Sequence, residues 1–180
     1  NDIKVYADIV LNHKIGADEA ETVYASKEES DNRNIDTTLP TKIKAWTVYN
    51  FANRNNKYSD FKWNYSHFNG TDWDESGRKN GIFRFSGKHW DKSVDQENGN
   101  YDYLMGADID FNNSEVIEEL NKWGEWYLDF TGVDSFRLDA VKHIKSGFMA
   151  DWIRKMKKTR PDLQCVGEYW NRNIDTLEKY

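Results

Sequence analysis

Arg137, Asp139, Lys142 and His143 stand in the stretch "GVDSFRLDAVKHI", residues 132–144. Around them Val133, Phe136, Leu138, Ala140 and Val141 read as the interior of a buried strand. Charged side chains are rarely buried unless paired, so this stretch either neutralises its charges in a core or lines the mouth of a site. Glu168 follows Asp139 by 29 positions, in "VGEYW". Two facing carboxylates are what retaining glycoside hydrolysis requires, one as nucleophile and one as acid/base, roughly 5–5.5 Å apart. Arg137, two residues before Asp139, projects to the same side of a strand, where its guanidinium would hold Asp139 ionised and oriented. Glu168, flanked by Tyr169 and Trp170, is expected to sit in surroundings that raise its pKa and keep a proton available. The spacing alone also allows a structural Arg–Asp pair with an unrelated Glu.

A second group of acidic residues could hold a metal. Asp91, Asp102, Asp108 and Asp110 fall within twenty residues, and carboxylate oxygens are the hard ligands that Ca²⁺ collects in sixes to eights. Asp108, Asp110, Asn112 and Glu119 copy part of an EF-hand spacing, but Asn113 stands where that loop needs Gly, and its second half reads as helix. A solvated acidic loop is the other reading.

The elements that must position these residues alternate. Ile3 to Leu11 is a β-branched run that predicts a strand ending in Asn12 and His13. About a hundred residues rich in Asn, Asp, Gly and aromatics follow, without long helical periodicity. Within them "KIKAWTVYNF" (42–51) and "GIFRFSG" (81–87) predict strands, and "ASKEESDNRNIDTTLPT" (25–41) an exposed loop. A structureless connection of that length is implausible, so an irregular β-rich subdomain is expected there. Val116, Ile117, Leu120, Trp123 and Tyr127 then give a helical stripe, capped by Asn112 or Asn113 and ended by Gly132. "VDSFRLDAV" is the next strand. Ser146 opens a second helix with Phe148, Met149, Trp152, Ile153 and Met156 on one face, stopped before Pro161, and "LQCVGEYW" is the last strand.

Strands alternating with helices imply a parallel sheet. In a (β/α)₈ barrel the functional side chains stand where strands end. Asn12 and His13, Asp139 to His143, and Glu168 to Trp170 all end strands, so they fall on one rim, which favours the reading as a site. The fold class expected is α/β: a partial TIM barrel with an inserted β-rich domain, divided at 1–13, 14–113 and 114–180.

Composition limits the partners. A mean hydropathy of −0.94 and no apolar run near ~20 residues exclude a helical membrane span. The net charge of −6 argues against nucleic acid, which requires a basic face. A single cysteine, Cys165, excludes an internal disulfide framework and is expected to pack as a small buried hydrophobe. Eight Trp and ten Tyr supply flat apolar faces that suit sugar rings. The first residues, "NDIKVYADIV", already read as a strand, so a piece of a longer chain is expected and compartment is not legible.

"YADIVLNH", "GVDSFRLDAVKHI" and "VGEYW" resemble three conserved segments of the α-amylase family of glycoside hydrolases, in the right order. "YSDFKWNYSHFNGTDWDES" and "ENGNYDYLMGADID" are similar to its bacterial liquefying-type branch. The resemblance covers essentially the whole chain. It implies that Asp139 is the nucleophile, Glu168 the acid/base and Arg137 the residue that positions Asp139. His13 would bond the sugar at the cleaved bond, and Lys142, His143 and Trp170 would contact the leaving-group side. It further implies that Asn12, Asp102, Asp108 and the backbone carbonyls of Asp91 and His143 hold a structural calcium, clamping the inserted B domain to the third to fifth barrel units. Two positions depart from the family's accessory metal cluster: Asn69 and Asn112 stand where carboxylates are expected, which predicts one calcium without a second calcium or a sodium. The family's third catalytic carboxylate falls beyond Tyr180, so the isolated chain is expected to be inactive. The function implied is endo-hydrolysis of α-1,4 bonds in starch or glycogen by a monomer. The alternatives are another retaining α-glucan hydrolase or transferase of the family, or a non-catalytic binding relative, which loss of Asp139 or Glu168 would signal.

Overall fold

The computed structural model describes residues 3–178 and 180; Asn1, Asp2 and Lys179, within the expected end segments, lie outside the described residues. Three strands form a parallel sheet in the order β1–β8–β9: β1 (Tyr6–Ile9), β8 (Ser135–Leu138) and β9 (Gln164–Gly167). The remaining six make an antiparallel sheet in the order β2–β7–β5–β6–β3–β4. They are β2 (His13–Lys14), β3 (Glu19–Glu28), β4 (Thr41–Val48), β5 (Phe68–Asp74), β6 (Lys79–Phe85) and β7 (Ala107–Ile109). The architecture is therefore mixed α/β, a parallel sheet joined to a β-rich antiparallel one.

Two helices cover the parallel sheet. α1 (Ser114–Thr131) buries Val116, Leu120, Gly124 and Leu128, one residue per turn. The Asn113 side chain accepts the Glu115 N–H at its start, and Gly132, at φ 66°, takes the left-handed conformation that ends it. α2 (Ser146–Thr159) buries Phe148, Met149, Trp152 and Met156. The Trp152 ring lies 5.7 Å from Phe136 of β8, and its indole N–H donates to Leu120 O at 3.1 Å, so one side chain ties both helices to the sheet. A short α3 (Ile174–Leu177) follows β9. One continuous apolar core runs from Ile9 and Leu138 of the parallel sheet to Phe68 and Phe85 of the antiparallel one, and half-buried Cys165 packs against it. Among the described residues no helix is long and apolar enough to cross a membrane.

Several expected boundaries move. The first strand is Tyr6–Ile9, shorter than residues 3–11, and the strand expected through Val141 stops at Leu138 because Ala140 turns left-handed at φ 52°. Residues 25–28, expected in a loop, complete β3 and pair with β6 from Ala25↔Phe85 to Glu28↔Ile82. The reason is Glu28, whose charge suggests a surface position. It is buried, held by Arg84 Nε at 2.5 Å and by the Trp90 indole N–H.

Gly124 sets how closely α1 and α2 approach: a Cβ there would lie 2.7 Å from Trp152 and 2.6 Å from Met156 Sδ. Gly124→Val should lower the urea-unfolding midpoint by an amount equivalent to about 1–3 kcal/mol, the range for overpacking a close contact. A variant as stable as the parent would mean that the helices do not meet at this face.

Candidate active site

The parallel register places Asp8 beside Arg137, and Arg137 beside Val166. Arg137 Nη1 bonds Asp139 Oδ1 at 2.5 Å and Asp8 Oδ1 at 2.7 Å, and Nη2 bonds Glu168 Oε1 at 2.6 Å. One guanidinium thus gathers carboxylates from the ends of all three strands. The backbone repeats this convergence: Asp139 N–H donates to Ile9 O at 2.9 Å, Glu168 N–H to Leu138 O at 2.8 Å and Val141 N–H to Glu168 O at 3.1 Å. Immediately after Asp139 the chain turns through left-handed Ala140 into a short 3₁₀ turn, Val141–His143, and this turns Lys142 and His143 inward. Asp8 is a member of this constellation that sequence reasoning missed. An acidic residue inside the apolar run "YADIV" was the available signal.

The environment of Glu168 is the reverse of the one expected. Its carboxyl lies below the ordinary glutamate value, through hydrogen bonding from the Trp170 side chain first, then from Ala140 N–H, and through the Arg137 charge. Tyr169 does not cover it, because that hydroxyl turns away to Asp95. Arg137 is itself raised by its bonds to Asp8 and Asp139. His13, half-buried at the same rim, is lowered by burial against the opposing charges of Asp139 and Asp72, so it is a neutral imidazole at neutral pH.

Lys142 and His143 are both buried. The Lys142 ammonium bonds Glu97 Oε2 at 2.7 Å and Trp170 O at 2.9 Å, and lies over the Tyr101 ring. His143 Nδ1–H donates to Tyr101 O at 2.6 Å, and burial pushes its pKa down to about 4. Trp170 is 73% exposed. Beside it opens a cavity of about 1430 Å³ lined by Glu97, Lys142, His143, Tyr169 and Trp170.

The acidic residues of the second group lie behind this rim. Asn12, Asp91, Asp102, Asp108 and Asp110 are all buried. Asp91 N–H donates to Asp102 Oδ2 at 2.8 Å, and Asn69 Nδ2 to Asp108 Oδ2 at 3.1 Å. Burial first, then repulsion from Asp91 and Asp110, pushes Asp102 up to about 8. Burial and Asp102 raise Asp108 as well. Asn12 is wholly buried, yet neither its amide oxygen nor its nitrogen has a hydrogen-bond partner among the described residues. The Asn12 carbonyl accepts the N–H of Ile109, the residue after Asp108, so an orphaned amide and a raised carboxylate share one strand pair, and both offer oxygens of the kind a hard cation takes. The outer positions are internally satisfied: Lys88 Nζ bonds Asp110 at 2.6 Å, Lys145 Nζ bonds Asn112 Oδ1 at 2.6 Å, and Asn112 Nδ2 donates to Asp91 at 3.3 Å. Among the described residues no three carboxylate, imidazole or thiol groups form a metal-ligand cluster.

No family model matches the chain. It is 49% identical over 180 residues to an α-amylase of Bacillus licheniformis, covering 99% of this chain and 35% of that protein. It is 48% identical over 184 residues to a glucan 1,4-alpha-maltohexaosidase of Bacillus sp. (strain 707), covering 100% of this chain and 36% of that protein. The chain therefore spans little more than a third of the length of these curated relatives. Among solved structures it is similar to the native form of a Nostoc punctiforme debranching enzyme, with a TM-score of 0.35 and 20% identity, over 61% of this chain and 20% of that one.

Replacing Trp170 by Phe, or Arg137 by Met, should raise the Glu168 titration followed by carboxyl carbon NMR. A depressed carboxyl stabilises the fold above its unfolded pKa and loses that contribution as pH falls through the folded value. Both variants should therefore lose less stability on acidification than the parent. Unchanged titration in both variants would remove this electrostatic account.

Proposed function

From a chain that belongs to the α-amylase family of glycoside hydrolases, in its bacterial liquefying-type branch, we infer part of a retaining, endo-acting enzyme that hydrolyses α-1,4-glucosidic bonds of starch or glycogen. The observation that carries this reading is the single guanidinium of Arg137 joining Asp139 and Glu168 at the ends of adjacent parallel strands. In this reading β1, β8 and β9 are the third to fifth strands of a (β/α)₈ barrel, and residues 14–113 are its inserted B domain.

Asp139, oriented by Arg137, attacks the anomeric carbon as Glu168 delivers a proton to the departing glycosidic oxygen. Water then displaces Asp139 with Glu168 as base. Glu168 is ionised in the free chain, so its proton is acquired in the complex, where sugar rings exclude water and raise the carboxyl. Neutral His13 donates a hydrogen bond to the sugar at the cleaved bond, and Trp170 offers its ring to the leaving-group side. A maltohexaose-releasing enzyme is the second reading, favoured by the 48% identity to the maltohexaosidase.

Asn12, Asp102 and Asp108, with the carbonyls of Asp91 and His143, would hold Ca²⁺, which supplies positive charge that joins the inserted sheet to the rim. The support is the orphaned Asn12 amide and the two raised carboxylates, one of them, Asp108, paired in register with the residue after Asn12.

In the intact enzyme Asp139→Asn and Glu168→Gln should each reduce starch hydrolysis by several orders of magnitude while leaving folding intact. On an activated glycosyl fluoride, Glu168→Gln should still form the glycosyl-enzyme and Asp139→Asn should not. Equal labelling of both would reverse or cancel the assigned roles.

Dialysed intact enzyme should retain one calcium per chain by metal analysis. Asn69 and Asn112 offer neutral oxygens, and Lys88 and Lys145 occupy the outer positions. Two tightly held calciums beside Asp91 would show that these amides suffice as ligands.

A further inference from the structure

The segment after β9 begins at Glu168, whose N–H donates to Leu138 O at 2.8 Å and whose carbonyl accepts Val141 N–H at 3.1 Å. Past Glu168, its side chains are held by the loop between β6 and β7. Asp95 Oδ2 accepts the Tyr169 hydroxyl at 2.7 Å and Asn171 Nδ2 at 3.1 Å, and Oδ1 accepts Glu97 N–H at 2.8 Å. Its backbone is fixed as well, because Asp95 N–H donates to Lys142 O at 3.0 Å and Asp95 O accepts Tyr101 N–H at 2.9 Å. One residue therefore joins the turn after β8, the segment after β9 and its own loop. Glu97 adds a second connection, through the Lys142 ammonium to Trp170 O. Tyr169 and Asn171 are thus gripped on either side of Trp170, whose ring is left exposed at the cavity that Asp95 also lines.

We propose that Asp95 is a positioning residue that fixes Tyr169–Asn171 as the wall of the leaving-group side of the cleft, and so sets how tightly the departing part of an α-glucan is bound. This rests on the amylase reading above. Asp95 touches no reacting atom; it acts through Tyr169 and Asn171. A charged acceptor bonded to two side chains holds a segment more firmly than neutral pairs would.

The test compares two substrates in the intact enzyme: a long malto-oligosaccharide, with glucose units on both sides of the cleaved bond, and a nitrophenyl maltoside, whose leaving group is only nitrophenol. Asp95→Ala should raise KM for the long substrate about tenfold, the scale of losing charge-assisted hydrogen bonds, with kcat/KM on the nitrophenyl maltoside changed by less than about threefold. Asp95→Asn should fall between, since its amide oxygen still accepts the Tyr169 hydroxyl. Tyr169→Phe removes only an oxygen and should show the same substrate bias. The Asp95→Ala/Tyr169→Phe double variant should be no worse than Asp95→Ala alone, because both remove one interaction. Equal losses on both substrates, no loss on either, or additive losses in the double variant would overturn the role of Asp95. If the unaltered enzyme cleaves neither substrate, the amylase reading falls first and this inference with it.

Discussion

One guanidinium meets three carboxylates at the rim, and the parallel sheet has to be in register for that to happen. Arg137 lies on the middle strand, so a one-residue slip of β1 or β9 would turn Asp8 or the approach to Glu168 to the opposite face. Helices α1 and α2 matter to the site because they fix this register, pressing Phe136 and Leu138 into the core while Arg137, between them, faces the carboxylates. An exposed salt bridge contributes little alone, but a shared cation costs less ordering than separate pairs, since one side chain serves three partners. One guanidinium serves three carboxylates, which on the proposed reading suits a site where positive charge develops on a sugar ring during reaction.

The antiparallel sheet reaches that rim through β2, only two residues long. His13 faces the rim from β2 and is paired in register with Asp108 of β7, while Asn12, directly before it, accepts the Ile109 N–H through its carbonyl. A ladder this short cannot define its own position. Lys14 supplies a further anchor: its ammonium lies 4.7 Å from the Trp63 ring centre and 5.3 Å from that of Tyr49, against the aromatic core of the larger sheet.

Much of this was legible in the sequence where a local signal existed. The stripe Val116–Tyr127 with Asn113 and Gly132 at its ends marks α1 closely, and apolar runs mark β1, β8 and β9, most clearly the central β8, where Ser135, Phe136 and Leu138 are buried. The antiparallel sheet was less legible. β5 reads as polar, yet Asn69, Thr71 and Asp74 are buried, Asn69 and Asp74 with hydrogen-bond partners, and β3 hides its inner end behind Glu28. At the site, strand–helix–strand spacing was enough to bring Asp139 and Glu168 together. Asp95 and Glu97 arrive from a loop some seventy residues upstream of Trp170, and no local pattern announces a contact of that range. Glu168 was misjudged because its sequence neighbours are not its cover. Tyr169 faces Asp95, and Trp170 contributes a hydrogen bond instead of an apolar wall.

The two acidic clusters show how environment separates residues of one type. At the rim Glu168 is partly exposed, hydrogen-bonded and next to a permanent cation, and it lies below its ordinary value. A short step inside, Asp102 and Asp108 are buried with no basic side chain bonded to either among the described residues, and both are raised. The rim is thus electrostatically supported by its own residues, while the interior cluster leaves negative charge or protonation to be resolved by something else. On the proposed reading that is a calcium ion. Its influence would reach the rim by the shortest available route, because Asn12 precedes His13 and Asp108 pairs with it. One strand pair, β2 with β7, thus joins the interior cluster to His13.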